Sequence, residues 1–244
     1  MKLSARTLTN YILFAFLFSS VCMIFGRTAV KLASEDAAQV SVQSESPVLL
    51  IDPGHGGEDG GASSGEILEK DLNLTVSRNL ADICTIFGYK ADLTRNSDTL
   101  LYDAFDDMDD YGGKKKTYDL RNRLRMAEES GSSLFIGIHM NKFPQESSKG
   151  LQVYYTPNAD GSENAARMIQ NYAKTYLMPW NQREIKSATS AIYLLHRIQM
   201  PAVLVECGFL SNPEDCANLT DREYQVKLAS AIFAASSEWL ASAP

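Results

Sequence analysis

From Val48 onward, short apolar runs of strand length alternate with longer segments whose apolar residues recur at helical spacing. VLLID (residues 48–52) is apolar until its last residue and stops at a Pro-Gly break, which predicts a strand buried on both faces. In EKDLNLTVSRNLADICTIFG, residues Leu72, Val76, Leu80, Ile83, Cys84 and Phe87 share one helical face, and Gly88 marks the stop. YKADLTR then predicts a second strand. YDLRNRLRMAEESG predicts a second helix through Leu120, Leu124 and Ala127, ending at Gly131. LFIGIH is a third strand, LQVYYT a fourth, and SENAARMIQNYAKTYL a helix with Ile169, Tyr172, Tyr176 and Leu177 on one side. AIYLL and AVLVE predict a further strand pair, with His196 in the loop between them. The last helix, TDREYQVKLASAIFAASSEWL, opens on a capping box from Thr220 to Glu223. This alternation predicts a single α/β domain over residues 47–240, a mainly parallel twisted sheet with helices on both faces.

Two regions depart from the alternation. At the N-terminus Lys2 and Arg6 precede the apolar run YILFAFLFSSVCMIFG (residues 11–26), and Arg27 follows it. That pattern predicts export, with residues 1–27 as a cleaved signal peptide or a retained signal anchor and residues 28–46 as a polar linker. If uncleaved, the segment ties the chain to the membrane, and either way the domain lies outside the cytoplasmic membrane. The second region, NSDTLLYDAFDDMDDYGGKKKTYD (residues 96–119), is rich in Asp but lacks the spacing and closing Glu of an EF-hand loop, so it reads as a solvated loop that could form a lip over a cleft.

Composition narrows the classes. At 244 residues, 45% hydrophobic and 22% charged, the chain holds one domain with a proper core. A net charge of -7 and a pI near 5.0 argue against nucleic acid as a partner. Outside the apolar segment only Cys84, Cys207 and Cys216 remain, with no CxxC pair, which excludes a disulfide framework and a cysteine zinc knuckle. Cys84 fits the core face of its helix. The glycines of DPGHGGEDGG lack the Lys-Ser/Thr of a P-loop and the order of a dinucleotide site.

Three strands end in a residue able to bind metal or move protons: VLLIDPGH near His55, LFIGIH on His139 and AVLVE on Glu206. In an open α/β sheet, sites gather at the carboxyl ends of parallel strands. An ionisable side chain directly after a buried run is costly unless paired or coordinated. Two imidazoles and one carboxylate with an open fourth position form the ligand set of a catalytic zinc. His55 and His139 supply the imidazoles, and Glu69 is the best-placed carboxylate, with Glu58, Asp59 and Glu66 as rivals that spacing does not exclude. Glu206 is then free to act as a base beside the metal. His196, next to Arg197, reads as a loop residue rather than a ligand, with a substrate contact as its alternative.

LLIDPGHGGEDGGA, GEILEKDLNL, LTRNSD, LFIGIHMNKF and PAVLVECGFLSNPED resemble, in order and spacing, the zinc-dependent N-acetylmuramoyl-L-alanine amidases. KTYDLRNRLRMAEES and AIYLLHRIQMPAVLVECGFLSNPED are similar to the germination-specific, spore-cortex branch of that family in endospore formers. The resemblance implies Zn2+ held by His55, Glu69 and His139, with Glu206 as the catalytic glutamate. It implies hydrolysis of the amide joining N-acetylmuramic acid to L-alanine, with peptidoglycan glycan strands and stem peptides as partners. In spore cortex this is the first step to muramic lactam. Gly137 departs from the family's usual serine, which removes a possible hydrogen bond near the site, and His196 departs from its usual arginine, which bears on peptide recognition. The competing readings are a zinc peptidase acting on another amide, and a peptidoglycan-binding module that is inactive or depends on an extracytoplasmic partner protein.

Overall fold

The structure, a computed structural model, describes residues 48–103 and 114–242. The apolar N-terminal run, the polar linker and the middle of the Asp-rich segment lie outside the described residues. Among those residues, no helix is long and apolar enough to cross a membrane.

The sheet is built outward from its most apolar strands. Strand β1 (Val48–Pro53) pairs in parallel with β4 (Lys90–Leu93) on one side and with β5 (Leu134–Asn141) on the other. Strand β8 (Ala202–Phe209) pairs in parallel with β5. Beyond it, β6 (Gln152–Tyr155) runs antiparallel to β8 and carries the short edge strand β7 (Lys186–Ser187), completing the order β4-β1-β5-β8-β6-β7. A separate two-stranded hairpin, β2 (Ser63–Ser64) with β3 (Ile67–Leu68), leads into the first helix. The sheet is therefore mainly parallel, with the fourth predicted strand reversed.

Strand alternation divides the core into two layers. On one face Leu49, Ile51, Ile136, Ile138, Val203 and Val205 pack against three helices: α1 (Glu69–Ile86), α3 (Ser162–Tyr176) and α6 (Arg222–Ser242). Their contacts come at helical spacing: Leu72, Val76, Leu80 and Cys84 from α1; Ala166, Ile169 and Ala173 from α3; Leu228, Ile232 and Trp239 from α6. On the other face Leu50, Phe135, Ala202 and Leu204 meet Ala127 of α2 (Lys115–Glu129) and Leu194 and Leu195 of α4 (Tyr193–Arg197). Each fully buried Leu or Ile contributes about 1.5–3 kcal/mol. The second layer is thinner, and the site opens on that side.

Three expectations need correction. AIYLL is not a strand. Its backbone closes locally, with His196 N bonding Ile192 O and Ile198 N bonding Leu194 O, so Leu194 and Leu195 reach the core from helix α4 and His196 is helical. The predicted capping box at Thr220 is replaced by Asp221, whose carboxylate accepts from Tyr224 N at 2.8 Å. Thr220 instead ends a helix that was not predicted, α5 (Pro213–Thr220), and its hydroxyl bonds back to Cys216 O. Finally, the solvated loop does not extend to residue 119, because α2 begins at Lys115.

One buried ion cluster ties α2 to β1. Arg123, 1% exposed, bonds Asp52 and the backbone carbonyls of Pro53 and His55, and its Nε donates to Asp119 Oδ2 at 2.8 Å. Burial would depress the Arg123 pKa, but the charges of Asp52 and Asp119 outweigh it and push it upward. Removing the cation leaves two carboxylates buried and uncompensated. Arg123→Met should therefore lower the free energy of urea unfolding by about 3–5 kcal/mol, whereas Lys227→Met, at an exposed pair with Glu223, should leave it essentially unchanged.

Candidate metal centre

His55 follows β1 in a glycine-rich loop and is the one described non-glycine residue with positive φ, at 61°. Such a conformation persists only where the surroundings over-determine it. Here they do. Arg95 donates from Nε to Pro53 O and from Nη2 to Gly54 O, both near 3 Å, while Arg123 holds His55 O. Lys70 Nζ bonds Gly57 O and Asp98, and Asp98 accepts from Gly57 N at 2.7 Å. The loop also lies tightly against its neighbours: a Cβ on Gly54 would sit 2.1 Å from the His139 ring, and one on Gly61 would sit 2.5 Å from Glu69 Oε2.

Glu69 is the first residue of α1 and only 3% exposed. Its Oε1 lies 3.2 Å from His55 Nε2 and 3.0 Å from His139 Nδ1, and accepts from Met140 N at 3.1 Å. Its Oε2 accepts from Ala62 N at 2.7 Å. Burial would raise its pKa, but hydrogen bonds and charge from His139 and His55 drive it far below the usual carboxylate range. Burial would likewise lower the His55 pKa, yet Glu69 and Asp59 outweigh it, so the net shift is upward.

The three predicted ligands therefore meet: one donor atom from each of His55, Glu69 and His139 lies within 4.8 Å of the others. Of the rival acids, Asp59 instead takes the other ring nitrogen of His55 at 2.9 Å, and Glu58 pairs with Lys115. Asp59 fixes Nδ1 as the protonated nitrogen, which leaves the Nε2 lone pair directed at Glu69. Two imidazole nitrogens and a carboxylate oxygen that converge in this way need a proton or a cation between them, so the chemistry of this donor set fits a divalent metal. His196 lies on α4, exposed and outside this cluster. The atoms nearest to a Cβ at Gly137 belong to Leu204 and Phe135, at 3.6–3.7 Å, so a serine there would lie against that packing.

Glu206 is in register with His139 across β5 and β8, with one carboxylate oxygen buried and unpartnered. Burial, reinforced by Glu69 and partly offset by the histidines, pushes its pKa up to about 7. The reading from sequence did not find Asp59, Arg95 or Arg123 as supports of the loop. The dyad of His and Asp four residues apart was the available signal for Asp59.

Fold and donor set define the class: an α/β domain with a two-histidine, one-carboxylate centre at the carboxyl ends of its parallel strands. The family described as N-acetylmuramoyl-L-alanine amidase matches residues 49–237, and the chain belongs to it. It is 36% identical over 186 residues to the germination-specific N-acetylmuramoyl-L-alanine amidase of Bacillus subtilis, covering 76% of each chain. Similarity to the LytC amidase of the same organism is 30% over 212 residues, spanning 86% of this chain and 38% of that one. Among solved structures, the CwlD amidase of Clostridioides difficile, in complex with the GerS lipoprotein, superposes with a TM-score of 0.75 at 34% identity, covering 81% of this chain and all of that one. The chain is thus a hydrolase, an amidase acting on peptidoglycan.

The raised pKa of Glu206 has a sign that stability measurements can read. A carboxyl that titrates higher when folded takes up protons on folding, so its ionisation opposes folding as pH rises through the window from 4.5 to about 7. In chelator-treated protein, Glu206→Gln should raise unfolding free energy at pH 8 by ~1–2 kcal/mol, and the gain should vanish below the lower end of that window.

Proposed function

We propose that the chain is a zinc amidase in which His55, Glu69 and His139 hold Zn2+ and Glu206 is the catalytic acid and base. The bond cut joins the lactyl carbonyl of N-acetylmuramic acid to the amino group of L-alanine. The observation that supports this reading most strongly is the buried, unpartnered carboxylate of Glu206 in register with His139, beside three converging donors. Zinc in such a site acts as a Lewis acid toward a carbonyl and brings the pKa of water down to about 7.

The remaining work falls to side chains. Glu206, as carboxylate, accepts a proton from the attacking water, and as the acid returns it to the departing alanine nitrogen, so no charged amine anion has to leave. A carboxyl whose burial holds it near neutrality serves both halves of that exchange. Asp59 keeps His55 in one tautomer, and the Arg95 and Arg123 bonds hold the loop so that the ligand does not reorganise during turnover.

The germination-specific relative supports a role in spore cortex, where removal of stem peptides is the first step to muramic lactam. The basic head and apolar run support residues 1–27 as a signal peptide or anchor and residues 28–46 as a linker, which places the domain outside the cytoplasmic membrane. Likeness to an amidase solved with a lipoprotein supports an extracytoplasmic protein partner for this chain too.

Muropeptide mass spectrometry and metal analysis test the assignment together. Glu206→Gln should keep full zinc content yet release no free stem peptide from peptidoglycan. His139→Ala should lose zinc while retaining its far-ultraviolet spectrum. Equal zinc loss in both would make Glu206 a ligand, and full zinc in His139→Ala would remove His139 from the site.

A further inference from the structure

Beside the centre, a cavity of about 320 Å³ opens between the end of β5 and the β6–β7 edge. Gln152 in its wall pairs in register with Glu206, and Asn141 lies two residues beyond His139, so the cavity adjoins the proposed acid–base group. Two cations line it, Arg183 and Lys186, and among the described residues neither forms an ion pair. This is notable in a chain of net charge -7. Glu184, next to Arg183 in the chain, is paired with Lys174, and Glu214 is paired with Lys149.

Arg183 is held as a fixed fork. Its Nε donates to Lys149 O at 2.8 Å and its Nη1 to Gln152 Oε1 at 3.1 Å, and the guanidinium lies 4.4 Å over the centre of the Phe209 ring. Nη2 has no hydrogen-bond partner among the described residues. Lys186, on exposed β7, is in register with Tyr154 of β6. A guanidinium immobilised through two of its nitrogens, with a mobile ammonium beside it, suits a carboxylate: Arg fixes its orientation and Lys adds charge. Tyr154 completes the wall, its hydroxyl 3.5 Å from Gln152 Oε1.

We propose that this cavity is a carboxylate-binding subsite for the peptide portion of the substrate, with Arg183 and Lys186 as its specificity-determining residues. The proposal rests on the reading that Glu206 marks the reacting centre. It makes amidation of the peptide's carboxylate a change this enzyme detects, because an uncharged carboxamide loses the charge-assisted bonds while keeping the shape.

The test is titration calorimetry on the full chain supplied with zinc, using a matched pair of L-alanyl peptides that differ only in a free carboxylate or a carboxamide on the residue after alanine. The parent should bind the carboxylate form about tenfold more tightly, and Lys186→Gln and Arg183→Gln should each shrink that ratio below about threefold. Lys186 is exposed, so its variant keeps the test open if Arg183→Gln folds poorly. No difference in the parent, no binding of either peptide, or an undiminished ratio in Lys186→Gln would overturn the proposal. Turnover retained by Glu206→Gln would instead remove the acid–base assignment and leave the binding ratio standing.

Discussion

Glu69 is the contact on which the site depends. One carboxylate at the first position of a helix reaches a side chain and a backbone amide in the loop after β1 and another of each at the end of β5, so two separate pieces of chain are registered to a single side chain. Its place at a helix start favours the negative charge. Burial opposes that charge, and the histidines reverse the balance. Without this carboxylate the two imidazoles, from residues far apart in sequence, would have no common partner.

A second arrangement supports the first. His55 sits in a backbone conformation that a non-glycine residue seldom adopts, and two arginines grip the carbonyls around it. Arg123 carries out two tasks at once, because the same guanidinium that neutralises Asp52 and Asp119 also binds the loop that presents His55. The stability of the α2 layer and the placement of the histidine are therefore not independent quantities.

How far this was legible in the chain differs by element. VLLID, LFIGIH and AVLVE announce themselves because central parallel strands are apolar on both faces. AIYLL carries the same signal and is a helix, since a five-residue apolar run has no period to separate the two forms. Thr220 and Asp221 are both good caps, and the preceding helix decides between them by using the Thr220 hydroxyl for its own last turn. The meeting of His55 and His139 was legible from strand ends in a parallel sheet, whereas spacing left Glu69 among Glu58, Asp59 and Glu66 and only the family resemblance singled it out. Arg95 and Arg123 were invisible because half of their partners are backbone carbonyls about 40 to 70 residues away, and a carbonyl has no letter in the sequence.

The reversal of β6 against β8 gives the centre two kinds of wall. On the β1 and β5 side the walls are the exits of parallel strands, where ligating groups are fixed by loops and helix starts. On the β6 side the wall is a strand running the other way, joined to Glu206 only through its ladder, and it leads to a two-residue edge strand that nothing else in the sheet uses. None of His55, Glu69 and His139 lies on that margin. The two walls are thus built by separate pieces of chain, so substitutions along the β6–β7 margin and around the strand exits can accumulate at separate rates within one domain.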